Sequence, residues 1–274
     1  MRRPDLQLPA LVGGLLGRGG SQFTTAAPSP QTALDSVRVP WASRFPITGI
    51  QSGDANLFDD ERVRWAIEEL GGVGGATCVE LGPLEGGHSY MLQQAGAASV
   101  TAVEANKDAF LKCLVTKELL GLERCSFLCG DVLEYLSSTP DRFDVCWCVG
   151  ILYHMVEPVQ LLDLISKRAD RLYIWTHYYD AVKLSGRRGK GARFANAQVI
   201  QATHSGFDYT LHRQEYGWTE RLGGFLGGTR PYSHWLTLPD LLGALEHFGW
   251  HDIRTRIAED TPHGPAVDLV ATRA

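Results

Sequence analysis

Two periods of apolar spacing take turns along most of this chain. Over LFDDERVRWAIEEL, residues 57–70, Val63, Ala66, Ile67 and Leu70 fall at i, i+3, i+4 and i+7, with acids in the first turn and GGVGG as a stop, so the spacing predicts an amphipathic helix. Short apolar runs of strand length follow at about 76–81, 99–104, 125–129, 143–149 and 171–176, separated by helical spacing at 87–95, 107–120, 131–137 and 157–168. Such alternation implies a parallel sheet with right-handed crossovers. The pattern breaks over 177–237, where paired aromatics, a basic glycine loop and GGFLGG read as a cap or insertion over the C-terminal ends of the strands. LPDLLGALEHFGW then restores a helix, opening at Leu238–Asp240 and stopping at Gly249. Runs near 251–258 and 265–272 add two strands, for an α/β fold with a seven-stranded, mostly parallel sheet and helices on both faces. Residues 1–45, rich in Gly, Ser, Thr, Ala and Pro without a sustained period, are expected to form a mobile arm, or one that orders over the cleft. The remainder, 46–274, is expected to be one domain carrying the cap.

The chemistry concentrates where the first strand ends. Cys78, Val79 and Leu81 form its apolar body, Glu80 sits at its end, and Gly82, Gly86 and Gly87 allow a tight turn that approaches a ligand. Twenty-four residues after Glu80, the second strand ends in Glu104, placed to accept hydrogen bonds from both hydroxyls of a ribose. The third strand leads to Asp131 and Val132, placed to receive an adenine amino group on the carboxylate and a ring nitrogen on the backbone N–H. The glycines do not follow GxGxxG, and Glu80 would repel a pyrophosphate, so a guest bearing an ammonium and a sulfonium is favoured over a dinucleotide.

These residues resemble the class I S-adenosylmethionine-dependent methyltransferase family over about 57–176, and more loosely over the last 35 or so. Glu80, Gly82 and Gly86 match the family's first motif, with Leu84 standing where the middle glycine is common. Glu104 matches the ribose-binding acid, Asp131 the adenine-side acid, and VGILYH, which holds Gly150 and Tyr153, the motif lining the reaction centre. The resemblance implies a Rossmann-like fold with S-adenosyl-L-methionine as cofactor, held by Glu80, Gly82, Gly86, His88, Glu104, Asp131, Val132, Gly150 and Tyr153. GGHSYM followed by GILYHMVEP is similar to the branch containing the tRNA wobble-uridine carboxymethyltransferases and bacterial small-molecule methyltransferases, in which the tyrosine of this motif contacts the donor.

Methyl transfer is an in-line displacement at an activated carbon, so alignment dominates, and a hydroxyl acceptor adds the need for a general base. Two histidines stand where a base belongs: His154 beyond the fourth strand and His177 at the end of the fifth, in IWTHYYD. Sequence does not separate them. His88 opens the first helix behind the turn, where a donor's amino-acid tail would lie. His204, Glu215, Tyr216, Trp218, His234 and Trp235 belong to the cap and are candidates for shaping an acceptor pocket. Arg187, Arg188, Lys190 and Arg193 form a basic glycine loop, read as a solvated lid with phosphate or RNA backbone as the rival guest.

Composition narrows the partners. The net charge of −5 supplies no global field for a polyanion, so nucleic acid is not the expected partner. The six cysteines lie within the nucleotide fold without CxxC spacing and are expected to be buried, reduced thiols, which suits a cytoplasmic protein. No apolar run approaches the ~20 residues of a membrane span, and no HxH or aspartate pair follows the fourth strand, so metal-independent catalysis is expected. The resulting expectation is an S-adenosylmethionine-dependent enzyme that methylates an oxygen of a small-molecule acceptor. A tRNA-modifying (carboxy)methyltransferase and a non-catalytic S-adenosylmethionine-binding protein are the alternatives.

Overall fold

The computed structural model describes residues 23–185, 194, 198–216, 228, 230–261 and 263–273. Its helices are α1 (Pro30–Asp35), α2 (Glu61–Glu69), α3 (Gly87–Gln94), α4 (Lys107–Leu120), α5 (Val132–Ser138), α6 (Pro158–Ser166), α7 (Ala181–Leu184) and α8 (Leu238–His247). The strands are β1 (Thr77–Leu81), β2 (Ser99–Glu104), β3 (Cys125–Cys129), β4 (Phe143–Val149), β5 (Ala169–His177), β6 (Val199–His204), β7 (Phe207–Glu215), β8 (Tyr232–Trp235), β9 (Trp250–Thr261) and β10 (Gly264–Arg273). Each predicted strand and helix of the nucleotide fold is present within a few residues of its expected place, and the larger shifts have local causes. The helix read over 57–70 begins only at Glu61, because the Asp60 carboxylate accepts from the Arg62 N–H at 2.9 Å and caps it there.

Seven strands form one sheet in the order β3-β2-β1-β4-β5-β10-β9, the Rossmann-like arrangement expected. The first four pairings along it, from β3 to β5, are parallel; β10 runs antiparallel to both β5 and β9. Strand order reverses between β1 and β4, which opens a crevice at the C-terminal ends where the glycine turn and the LYH stretch both emerge. Side chains alternate between two cores. Val63, Leu92, Cys113, Trp147 and Tyr173 pack on the α2, α3 and α4 face, and Leu136, Leu162, Leu172, Ile174 and Leu245 on the α5, α6 and α8 face. Five of the six cysteines are buried free thiols; Cys129, at the end of the edge strand β3, is exposed, contrary to the expectation for all six.

The region expected to be a cap holds a second, three-stranded antiparallel sheet, β6-β7-β8. Its β6–β7 hairpin turns through Ser205 and Gly206, both at positive φ as a type I′ turn requires. Several hydrogen bonds fix the cap to the main domain, among them His204 Nε2 at 2.9 Å from Asp163 on α6, His247 on α8 to the Ser205 carbonyl at 2.9 Å, and the His234 N–H to the Met155 carbonyl at 2.9 Å. The segment read as a mobile arm is docked from Pro30 onward. Leu34 and Phe45 are buried with Phe58 against Val115 and Leu119 of α4, a packing that the Gly- and Pro-rich composition concealed.

One polar cluster ties the antiparallel strands to the parallel ones. The Tyr173 hydroxyl donates to Asp268 Oδ1 at 2.6 Å, and Arg256 donates through Nε and Nη2 to Oδ2 at 3.2 and 3.1 Å. Asp268 is buried, so its removal leaves a buried phenol and a half-buried guanidinium without their acceptor. Asp268→Ala is expected to lower stability by about 2–3 kcal/mol. Urea unfolding should show this as a lower midpoint at unchanged slope; an unchanged midpoint would show that the cluster adds no net stability.

Candidate functional site

The glycine turn is built around carboxylates. Gly82 and Gly86 have φ of 71° and 78°, the left-handed region where glycine carries no Cβ penalty. Leu84, the residue in the place of a middle glycine, is also left-handed, at φ 56°, a conformation that costs an ordinary residue about 1–2 kcal/mol. Glu104 holds it there: Oε2 accepts from the Leu84 N–H at 3.0 Å, while Oε1 accepts from the Asn106 N–H at 2.7 Å. A carboxylate offers about four acceptor positions, so Glu104 retains capacity for hydroxyl donors. Glu80 is buried beneath the turn and accepts from the Ser89 hydroxyl. Burial pushes both carboxyls above their usual range, against the hydrogen bonds and, for Glu80, against the nearby His88. A cationic guest would relieve that penalty. At the end of β3, Asp131 Oδ1 caps α5 by accepting from the Leu133 and Glu134 N–H groups at 2.8 and 3.2 Å, and Val132 is buried behind it.

His88 is buried rather than lying on an exposed helix start. Its Nε2 is 3.1 Å from Asp60 Oδ2, and the same carboxylate takes Arg62 through Nε and Nη2 at 3.0–3.1 and 2.6 Å. Burial works against the Asp60 charge, but the hydrogen bonds from His88 and Arg62 outweigh it and hold the carboxyl below the ordinary range. The Arg62 guanidinium in turn sits 4.5 Å above the Trp175 ring, at the end of β5. Sequence inspection passed over Asp60 and Arg62 because they read as the polar start of an ordinary surface helix.

The two candidate bases are brought together. Tyr153 lies between them, its ring centroid 4.1 Å from His154 and 4.8 Å from His177. Trp175 and Trp235 complete an aromatic wall, with His177 stacked on Trp235 at 5.3 Å and 6°. Gly150 begins the loop, its N–H donating to the Trp175 carbonyl at 2.9 Å. The environments of the histidines differ. His177 is buried and its Nδ1 lies 3.1 Å from the Pro265 carbonyl; a carbonyl only accepts, so Nδ1 carries the proton and the neutral ring has its lone pair on Nε2. His154 Nδ1 lies 2.7 Å from the Tyr216 hydroxyl of the cap. Burial, and then the neighbouring His177, hold the His154 imidazole down to about 3.

Of the remaining cap residues, His234 donates from Nδ1 to the Val156 carbonyl at 2.7 Å, and Glu215 pairs with Arg213 on the surface at 2.6 Å. Among the described residues, His234 Nε2, Trp235 Nε1 and His212 Nδ1 are buried without a hydrogen-bond partner. Arg187, Arg188, Lys190, Arg193 and Trp218 lie outside the described residues. No group of three or more His, Cys, Asp or Glu among the described residues is arranged to hold a metal ion, and no described helix is long and apolar enough to cross a membrane.

The depressed His154 value carries a pH signature. Folded protein binds fewer protons there than unfolded chain between about pH 6.5 and 3, so stability drops as pH falls through that window, by at most ~1.4 kcal/mol per unit. His154→Gln should flatten the stability–pH curve, measured by urea unfolding across that range. Parallel curves for parent and variant would show that His154 protonates normally in the folded state.

Comparison with known proteins agrees with this geometry. Residues 79–168 match the family model described as a methyltransferase domain. A tRNA U34 carboxymethyltransferase of Helicobacter hepaticus (strain ATCC 51449 / 3B1) is 32% identical over 62 residues, which are 23% of this chain and 18% of that protein, so the match spans less than a fifth of the relative's length. Among solved structures, the N-terminal domain of EvdMO1 in the presence of SAH and D-fucose aligns with a TM-score of 0.65 at 23% identity, over 89% of this chain and 95% of that one. The Burkholderia thailandensis 1,6-didemethyltoxoflavin-N1-methyltransferase, with bound 1,6-didemethyltoxoflavin and S-adenosylhomocysteine, aligns at 0.52 and 16% identity over 81% and 80%. The magnesium protoporphyrin IX methyltransferase of Synechocystis PCC 6803 aligns at 0.51 and 20% over 77% and 80%. Beside the carboxylate-lined glycine turn at the sheet's switch point, residues 79–168 match a methyltransferase domain, and the solved structures share the fold over most of the chain.

Proposed function

We propose that this protein transfers the methyl group of S-adenosyl-L-methionine to an oxygen of a small-molecule acceptor. The observation that carries the reading is the pair of buried carboxylates at the switch point, Glu80 and Glu104, within the segment that matches the methyltransferase model. Both are destabilised as anions by burial, which favours a guest that brings positive charge and hydroxyl donors. In this reading Glu104 takes the ribose hydroxyls, Asp131 and the Val132 N–H take the adenine, and Glu80 and His88 face the amino-acid tail. Gly82 and Gly86 let the backbone approach, and Gly150 and Tyr153 wall the sulfonium side. The donor supplies an activated methyl on a sulfonium, so the protein's task is to align it and to receive the acceptor's proton.

His177 is the proposed base. Its Nδ1–H is held by Pro265, so the neutral ring presents Nε2 as the acceptor beside Tyr153, Trp175 and Trp235. His154, held neutral and low in basicity, serves instead as a polar support between Tyr153 and the cap residue Tyr216. Support for a hydroxyl-bearing acceptor comes from the EvdMO1 domain, whose structure was solved with D-fucose and SAH. The Helicobacter hepaticus relative favours the second reading, a tRNA-modifying (carboxy)methyltransferase. The mass of a nucleoside co-purifying with the protein, read by native mass spectrometry, distinguishes a methyl from a carboxymethyl donor. Tight tRNA binding with a steep salt slope would favour the second reading.

Two substitutions test the assignments. Glu104→Ala is expected to weaken SAH binding in calorimetry by about 1.5–3 kcal/mol, the scale of lost charged hydrogen bonds; equal affinity in a folded variant would remove Glu104 from the donor site. His177→Ala is expected to cut turnover at least ~10²-fold, followed as SAH release with sugar hydroxyls as acceptors, while donor affinity holds. If turnover survives in His177→Ala, proton removal does not run through this residue.

A further inference from the structure

Glu85 belongs to the glycine turn, yet its side chain serves another part of the chain. Its carboxylate is fully buried with both oxygens engaged: Oε1 accepts from the Ala42 N–H and from Lys112 Nζ, both at 2.8 Å, and Oε2 accepts from the Ser43 N–H at 2.8 Å. Lys112, from α4, is buried as well and also donates to the Pro40 carbonyl at 2.6 Å. Residues 40–45 therefore form a strap whose backbone is gripped by a buried ion pair, one member of which lies between Leu84 and Gly86. The rest of the strap is closed independently. Phe45 is buried, the Trp41 indole N–H donates to the Leu34 carbonyl at 3.1 Å, and the Arg44 and Ala55 backbones join at 2.8 Å.

The same turn residue is held from the other side. The Thr116 hydroxyl of α4 donates to the Glu85 carbonyl at 2.8 Å, so the backbone of Glu85 is anchored to α4 and its side chain to the strap. If the strap lifts, the carboxylate loses two N–H donors and keeps only Lys112. An outward swing of Glu85 toward solvent would then turn the peptide that follows the left-handed Leu84. The strap is thus mechanically connected to the conformation that Glu104 holds through the Leu84 N–H.

We propose that Glu85 is a positioning residue through which the docked strap, residues 40–45, holds the glycine turn in its donor-binding form. Strap docking and donor binding then favour each other, and linkage requires the effect to be reciprocal. This rests on the donor reading of the turn given above. Hydrogen exchange on the unaltered protein tests it directly, because the Ala42 and Ser43 amides report strap opening and SAH serves as the probe. Saturating SAH is expected to slow exchange of both amides about tenfold or more, a scale set by the charge-assisted hydrogen bonds at stake. Glu85→Gln and Lys112→Met should each raise the SAH dissociation constant by a similar factor and raise KM for the donor more than they lower kcat. A residue that merely stabilised the fold would shift unfolding without this split. If SAH binds and protects Gly82–Gly86 but leaves the exchange of Ala42 and Ser43 unchanged, the coupling is refuted while the donor site stands. If the parent protein does not bind SAH, the donor reading falls and the proposal with it.

Discussion

The glycine-turn side of the cleft is shaped by the cost of burying carboxylates without stranding their charge. Glu80, Glu85 and Glu104 lie within or directly against one five-residue turn, and all three are buried. An unpaired buried carboxylate costs several kcal/mol, so each must find donors in its immediate surroundings. Glu104 and Glu85 find them mainly in backbone N–H groups, and that choice fixes the path of the chain: Leu84, Asn106, Ala42 and Ser43 must all point inward. The strained left-handed Leu84 persists because relaxing it would release Glu104 Oε2. Glu80 is the least satisfied of the three, with the Ser89 hydroxyl as its one described hydrogen-bond donor. The site is in this sense electrostatically incomplete, and a cation bearing hydroxyl donors completes it.

The aromatic side of the cleft obeys a different rule. There the walls are rings: Tyr153, Trp175, His177 and Trp235 touch one another, and Tyr179 stacks on His212 at 3.6 Å with Phe194 alongside. Stacked rings position a histidine by shape and leave its basicity to its few hydrogen bonds. His177 thereby gets a fixed tautomer from Pro265, and His154 gets a low affinity for protons from burial. Two histidines that look equivalent in sequence are separated by what stands next to them in space.

The sheet and its helices were legible because their apolar spacing is strongly periodic and several helices begin at a capping side chain, among them Asp60, Asn106, Asp131 and Thr237. The glycine turn and both strand-end acids were legible because a close-approach turn demands Gly82 and Gly86 where they stand. What escaped notice relies on distant partners. Arg62 has meaning only once Trp175 is beside it, and Glu85 only once Lys112 and the strap arrive from 27 and 42–43 residues away. The three cap strands were readable in principle. Polar and apolar residues alternate through QATH and YTLH on either side of a Ser205-Gly206 pair, but the glycine loops around them obscured the hairpin. Docking of the stretch from Pro30 was hidden for the same reason, since composition reports solubility and Leu34 and Phe45 are too few to form a period.

The place of β10 bears on how this protein is made. It lies later in the chain than every other strand, yet it sits inside the sheet between β5 and β9, burying Val267, Leu269 and Val270. On the ribosome, the five parallel strands and the cap emerge first, and β5 waits with one edge unpaired until β10 is synthesised and inserted beside it. An unpaired strand edge flanked by apolar surface is a template for pairing with another chain. The interval between synthesis of β5 and of β10 spans the cap, α8 and β9, so the length of that stretch sets how long the nascent edge stays open to misassembly.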